Sequence, residues 1–337
     1  MGRAFTIAGL AALALLTAGC ATSPPTRSVG AIRAQFEAAS GDVLVVAHRG
    51  CWHEAPENSL DAIAACARLG VDMVEIDVRE TADGQLVLLH DASLERMTDG
   101  AGRLSQTSLA RFRTLRRREG RGGPGARLTS LNPPTLREAL RAAKGKVMLN
   151  LDAKQDLHDR IFAEVADEGM NDQILMKMRA APDDPALVNA AFHGRALFMP
   201  VIFQCPLVPA PASNAPYCVG RLSDVVAGYD RYDPIAYEVI YTDRAFLTEG
   251  METMAGRGRV WVNTLKPEFA AGDVDADALA HPDQVWGRLV SAGVNIIQTD
   301  EPAALLAYLA SIDRHGSASS GDRPRSPTPQ DIHGDRQ

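Results

Sequence analysis

The sequence predicts a parallel (β/α)8 TIM barrel, an α/β fold, with an extra hairpin strand and an insertion after the second barrel strand. Three observations carry that expectation. Eight short apolar runs rich in β-branched residues alternate with helical patterns along 337 residues, the alternation that builds βαβ units and a parallel sheet. That length accommodates one barrel, which needs about 250 residues. Asp83-Gly84 falls between two apolar runs, a strong signal for a tight hairpin.

The runs lie at residues 43–47, 73–78, 147–152, 173–178, 196–203, 237–241, 259–263 and 295–299. Ser59 caps a helix beginning at Leu60, Thr135 precedes one at Leu136, and Pro282 precedes one at Val285. After the second run, Gln85 to His90 returns as the extra strand. Residues 91–134 carry little regular pattern and are the first candidate for substrate-shaping structure. The barrel domain is therefore expected over residues 41–312.

The two ends read differently. Residues 1–20 pair Arg3 with a short apolar run and end Leu16-Thr17-Ala18-Gly19-Cys20. The run is too short to span a bilayer, which takes about 20 residues, and has the flanks of a secretory signal. Its end resembles a bacterial lipobox, with Thr17 where Leu is commoner, so Cys20 is the expected lipidation site; an ordinary cleaved signal peptide is the alternative. The expected location is an exported, membrane-anchored lipoprotein facing the periplasm, held by its acyl chains. Residues 21–40 read as a Ser/Pro/Thr tether and residues 313–337 as a disordered tail. Export permits disulfides. Cys205 and Cys218 bracket a proline-rich loop and are a candidate pair, with two free thiols as the alternative, while Cys51 and Cys66 are left unassigned. A net charge of -7 argues against a nucleic-acid footprint.

Chemistry concentrates at strand ends. In Met73-Val74-Glu75-Ile76-Asp77-Val78, alternation puts Val74, Ile76 and Val78 under the helices and Glu75 and Asp77 inside the barrel. Two such carboxylates about 5 Å apart repel by about 3 kcal/mol at an effective dielectric near 20. The next run repeats the pattern, with Asn150, Asp152 and Lys154 inward. Three inward carboxylates make a hard oxygen cage suited to one divalent cation, Mg²⁺ or Ca²⁺; a salt-bridge layer neutralised by Lys154 and Arg49 is the structural alternative. His48 and His90 approach the same mouth from different strands and can exchange protons near neutral pH. Arg49 offers a fork matched to phosphate oxygens.

His48-Arg49-Gly50, Pro56-Glu57-Asn58-Ser59, Glu75-Ile76-Asp77-Val78, Asp83-Gly84 and His90-Asp91 together resemble the glycerophosphodiester phosphodiesterase family. Fainter similarities continue through Leu94-Glu95-Arg96-Met97-Thr98, Pro134-Thr135-Leu136-Arg137-Glu138, Trp261-Val262-Asn263 and Thr299-Asp300-Glu301-Pro302. The resemblance implies hydrolysis of glycerophosphodiesters to sn-glycerol 3-phosphate and an alcohol. It implies His48 and His90 as the acid–base pair, Arg49 and Lys154 as phosphate contacts, and Glu75, Asp77 and Asp152 as metal ligands. Asp152 departs from the family's usual Glu, as in related phospholipases of the sphingomyelinase D type. Glu57 is read as a brace for the His48–Arg49 loop, as an approach to the metal, or as purely structural. Trp261 is placed as a substrate contact, with filling of the barrel mouth as the alternative.

Other features carry plainer readings. Arg111, Arg113, Arg116, Arg117, Arg118 and Arg121 read as a solvated helix face, Met176 and Met178 as core, and Lys177 and Arg179 as undecided neighbours of the phosphate site. The loop from Gln204 to Val219 is expected to shape specificity. Two rival functions stand beside the hydrolase: phospholipase D-type cleavage of lysophospholipid or sphingomyelin through a cyclic phosphate, and a non-catalytic phosphodiester-binding barrel.

Overall fold

The computed structural model describes residues 27–38, 41–205 and 217–315. Among the described residues nine strands form one sheet: β1 (Leu44–Ala47), β2 (Met73–Glu80), β3 (Leu86–Leu88), β4 (Met148–Ala153), β5 (Ile174–Met178), β6 (Leu197–Phe203), β7 (Ala236–Ile240), β8 (Arg259–Asn263) and β9 (Ile296–Thr299). The order is β1-β9-β8-β7-β6-β5-β4-β2-β3, and β1 also pairs with β2. Eight parallel strands thus close into a barrel. β3 runs antiparallel to β2 outside it, with Val78 opposite Leu88, across the turn that contains Asp83-Gly84.

Alternation along the strands separates two cores. Val74, Ile76, Leu149 and Leu151 face outward under the helices, among them Leu60–Leu69, whose N-cap Ser59 accepts from the Ala62 N–H. Met73, Met148, Leu175, Met199, Trp261 and Ile296 fill the lower barrel. Above them the inward positions turn polar, with Glu75, Asn150, Lys177, Glu238, Asn263 and Gln298 all nearly inaccessible. The register sets Asp77 beside Asp152 and Glu75 beside Asn150, so carboxylates of neighbouring strands lie at one level.

Two expectations change. The region read as a tether contains the helix Val29–Glu37, capped by Ser28. Its Ile32 and Phe36, four residues apart and buried, join the lower core and close the barrel floor. At the other end, His315 lies 3.0 Å from Asp72 and close to Arg27, which ties both ends of the described domain to one buried carboxylate. Cys20, the expected lipidation site, and residues 316–337 lie outside the described residues. The insertion 91–134 builds a small core of its own from Leu94, Met97, Leu104, Phe112 and Leu115 against Val87 and Leu89.

Candidate active site

The carboxyl ends of the strands surround a cavity of about 410 Å³. Its first wall is the turn after β1. Arg49 adopts φ 57° and Gly50 φ 86°. A Cβ on Gly50 would meet the Ala62 Cβ at 2.8 Å, so only glycine lets the turn press against the helix Leu60–Leu69. The turn aims the Arg49 N–H at Glu75 Oε2 (3.0 Å), its Nη1 at Glu57 Oε2 (3.2 Å) and its Nε at Asp77 Oδ2 (3.3 Å). Glu57, fully buried, also takes the Arg96 Nη2 at 2.6 Å. Of the roles open to it, the geometry shows a brace. Asn58 donates to Asp77 Oδ2 at 2.6 Å and accepts from the Asp77 N–H at 2.9 Å, which fixes that carboxylate's orientation.

Glu75, Asp77 and Asp152 each offer an oxygen, all within 4.8 Å of one another. Three hard oxygens on two adjacent strands could hold a divalent ion of the Mg²⁺ or Ca²⁺ type. One feature of the cluster fits such a group. Apart from Lys154 Nζ at 2.8 Å, the buried Asp77 Oδ1 has no hydrogen-bond partner among the described residues. Lys154 also reaches Asp152 Oδ2 at 2.6 Å, and Lys177 lies 3.6 Å from the same oxygen and 3.4 Å from Glu238 Oε2. The salt-bridge layer considered from sequence is therefore present, and it surrounds the oxygen cage.

The charges divide unevenly. Burial, followed by the neighbouring Asp77, pushes Glu75 up to about 8. Asp77 is equally buried, yet Lys154 and Arg49 hold it well below the usual carboxylate range. Burial likewise opposes the charge of Asp152, and Lys177 and Lys154 overcome it.

Both histidines are held through Nδ1. His48 lies 2.8 Å from Asp300 Oδ1, and His90 lies 2.7 Å from Asp91 Oδ1. Both aspartates sit below their ordinary pKa despite burial, through hydrogen bonds to His48 and to Arg96 respectively. An ionised carboxylate only accepts, so each Nδ1 donates and each Nε2 is left as the basic nitrogen. Burial lowers both imidazoles below the usual value, against the pull of Asp300 on His48 and of Asp77 on His90.

The supporting shell is extensive. Asp300 also accepts from Trp52 Nε1 (2.9 Å) and Arg121 Nη1 (2.9 Å), while its N–H donates to Asp275 at 2.7 Å. Asp91 is held by Arg96 at 2.6 and 3.0 Å, and Arg96 Nη1 donates to the Arg121 carbonyl at 2.6 Å. The two histidine–aspartate pairs are thereby linked through the insertion. The arginines expected on one solvated face divide accordingly: Arg117 is fully buried against the Glu57 carbonyl and Arg121 lines the cavity.

Trp261 requires a correction. It lies in the lower core, fully buried, with Nε1 donating to Asn263 Oδ1 at 2.7 Å. Pairing with Ile296 puts it one layer below Gln298, too deep to touch a substrate in the cavity. Asp300, Asp91 and Glu238 carry no role in the sequence reading, and Arg121 only that of a solvated face. His90-Asp91 and Thr299-Asp300 stood inside motifs already noted, and Glu238 could have been found by alternation along β7. Cys205 pairs with Cys218, and Cys51 with Cys66, the latter tying the turn after His48 to its supporting helix. Residues 206–216 of the loop expected to shape specificity lie outside the described residues.

Fold and site together define a closed (β/α)8 barrel with two histidines and an oxygen cage at its carboxyl-terminal mouth. Residues 48–190, somewhat less than half of the chain, match the model of the glycerophosphoryl diester phosphodiesterase family. Residues 215–309 match a domain of unknown function. Glycerophosphodiester phosphodiesterase 1 of Bos taurus is 44% identical over 104 residues, which span 29% of this chain and 29% of that protein. A probable glycerophosphodiester phosphodiesterase 1 of Mycobacterium tuberculosis is 46% identical over 79 residues, 23% of this chain and 29% of its own length. The chain thus matches less than a third of the length of these relatives. A crystal structure of a glycerophosphoryl diester phosphodiesterase from Parabacteroides distasonis superposes with TM-score 0.66 at 22% identity, covering 89% of this chain and 97% of that one. An Oleispira antarctica phosphodiesterase, in complex with the product sn-glycerol-3-phosphate, gives TM-score 0.56 at 21% identity, over 81% and 97% of the two chains.

Proposed function

We propose that the protein hydrolyses glycerophosphodiesters to sn-glycerol 3-phosphate and an alcohol, with one bound divalent cation and His48 and His90 as the proton-transfer pair. The observation that carries this reading is the convergence of two Nδ1-anchored histidines on the Glu75–Asp77–Asp152 cage. An ion held there supplies Lewis-acid neutralisation of the phosphodiester oxygens. Arg49 and Lys154 neutralise the remaining charge and orient the phosphate. One imidazole takes the proton of the attacking oxygen at Nε2. The other imidazole enters the reaction protonated on both nitrogens; as the new P–O bond forms and the P–O bond to the leaving alcohol breaks, it donates its Nε2 proton to the departing oxygen.

The test is product formation from glycerophosphocholine and glycerophosphoethanolamine with Mg²⁺, Ca²⁺ or chelator. Turnover should require the ion and be lost in His48→Ala and His90→Ala. Full-rate turnover in chelator would overturn the cage argument, and a persistent cyclic phosphate by phosphorus NMR would favour the phospholipase D route instead. We further read the protein as an exported lipoprotein acylated at Cys20. Two disulfides suit an oxidising compartment. Cys20→Ser should move the chain from the membrane to the soluble fraction, and an unchanged membrane fraction would sink the reading.

A further inference from the structure

The cavity has two unlike halves. One holds the histidines and the cage. The other is lined by the inward faces of β6 and β7 and the segment after β8: Val201, Phe203, Ile240, Leu265 and Phe269. Two cations sit over this apolar wall. The Arg179 guanidinium lies 3.6 Å from the centre of the Phe203 ring, with Nε donating to the Tyr217 carbonyl at 2.9 Å. Lys266 Nζ lies 5.6 Å from the centre of the Phe269 ring. Tyr217 precedes Cys218, whose bridge to Cys205 returns the chain to the end of β6. Arg179 is thus preorganised by a ring, a carbonyl and a covalent link.

The charge balance points the same way. Of the cations at the cavity, Arg49 is engaged by Glu57 and Asp77, Lys154 by Asp77 and Asp152, and Lys177 by Asp152. Arg121 is held by Asp300, and Glu238 is engaged by Lys177 and Asn263. The deep cations serve the cage and one phosphodiester. Arg179 stands two residues beyond Lys177, about 7 Å nearer the mouth for an extended strand.

We infer that Arg179 and Lys266, over Phe203 and Phe269, form a distal anion subsite that selects diesters whose leaving alcohol carries a second negative group. The inference rests on the hydrolase reading and extends it to a substrate class. A quaternary ammonium leaving group would meet two like charges there. A long acyl chain would have to lie beneath two charged groups that lose hydration.

The test compares bis(glycerophospho)glycerol, whose leaving group bears a second phosphodiester, with glycerophosphoglycerol, whose leaving group is neutral. Two ratios are read for this pair: kcat/KM with metal, and equilibrium binding by calorimetry in chelator, where turnover is not required. The anionic compound should be favoured about tenfold or more in both, as one or two charge-assisted contacts allow, and the preference should shrink with added salt. In Arg179→Gln/Lys266→Gln it should fall toward one, while Arg111→Gln, an exposed charge elsewhere, leaves it in place. Circular dichroism melting checks that each variant is folded. A ratio near one in the unaltered protein, a ratio unmoved by the double substitution, or preference for lysophosphatidylcholine over both compounds would overturn the subsite. Binding preference without turnover would support the subsite and remove the hydrolase reading.

Discussion

The two halves of the barrel divide the work unequally. From β1 to β5 the inward positions at the mouth are His48, Glu75, Asp77, Asp152 and Lys177, all polar and interlocked. From β6 to β8 they are Val201, Phe203, Glu238, Ile240 and Asn263, three of the five apolar. The family match ends at residue 190, and residues 215–309 fall in a match of unknown function. The difference teaches that the groups proposed to react are concentrated in one half, while the other contributes support and shape. Asp300 and Asp275 show how that support arrives: a residue after β9 orients a histidine after β1, and its own N–H is held by a carboxylate that also accepts from Thr264 and Thr299.

That division can be broken or sharpened by substitution. The largest effects belong to the first half: His48→Ala and His90→Ala should each lower kcat by about a thousandfold, the scale of general acid–base catalysis. Asp300→Asn should cost less, about 10- to 100-fold in kcat with little change in KM, because the imidazole remains but its tautomer is no longer fixed. Its readouts are the kcat–KM split and a displaced limb of the pH–rate profile. A loss equal to that of His48→Ala would place Asp300 among the reacting groups and erase the division. Trp261→Ala should lower stability by about 3–5 kcal/mol in urea unfolding, whereas Trp261→Phe should leave KM within about twofold. A large KM rise in the Phe variant would restore the tryptophan as a substrate contact. Smallest of all, Arg111→Ala should shift stability by less than about 0.5 kcal/mol, against about 3 kcal/mol or more for the buried Arg117→Ala.

Much of this was legible in the chain because local pattern suffices for it. Inward carboxylates on two successive strands are fixed by alternation alone, and the hairpin strand by one Asp-Gly step. Depth is a different matter. Alternation gives the face of Trp261 but not its level, which depends on register with Ile296 on a neighbouring strand. The floor helix was hidden because its buried face consists of only Ile32 and Phe36, behind a Ser/Pro/Thr lead-in. Arg117 and Arg121 were misread because six arginines within eleven positions look like a solvated stripe, and only long-range partners such as Glu57 and Asp300 tell them apart. Asp300 lies 252 positions from His48, and no local signal encodes that pairing.

The hydrogen bond from Arg96 to the Arg121 carbonyl has a consequence for how the protein tolerates sequence drift. Since Arg96 grips the partner of His90 and Arg121 grips the partner of His48, slack introduced anywhere along this stretch reaches both imidazoles together. On the proposed mechanism, changes there would disturb both proton transfers at once rather than either one alone.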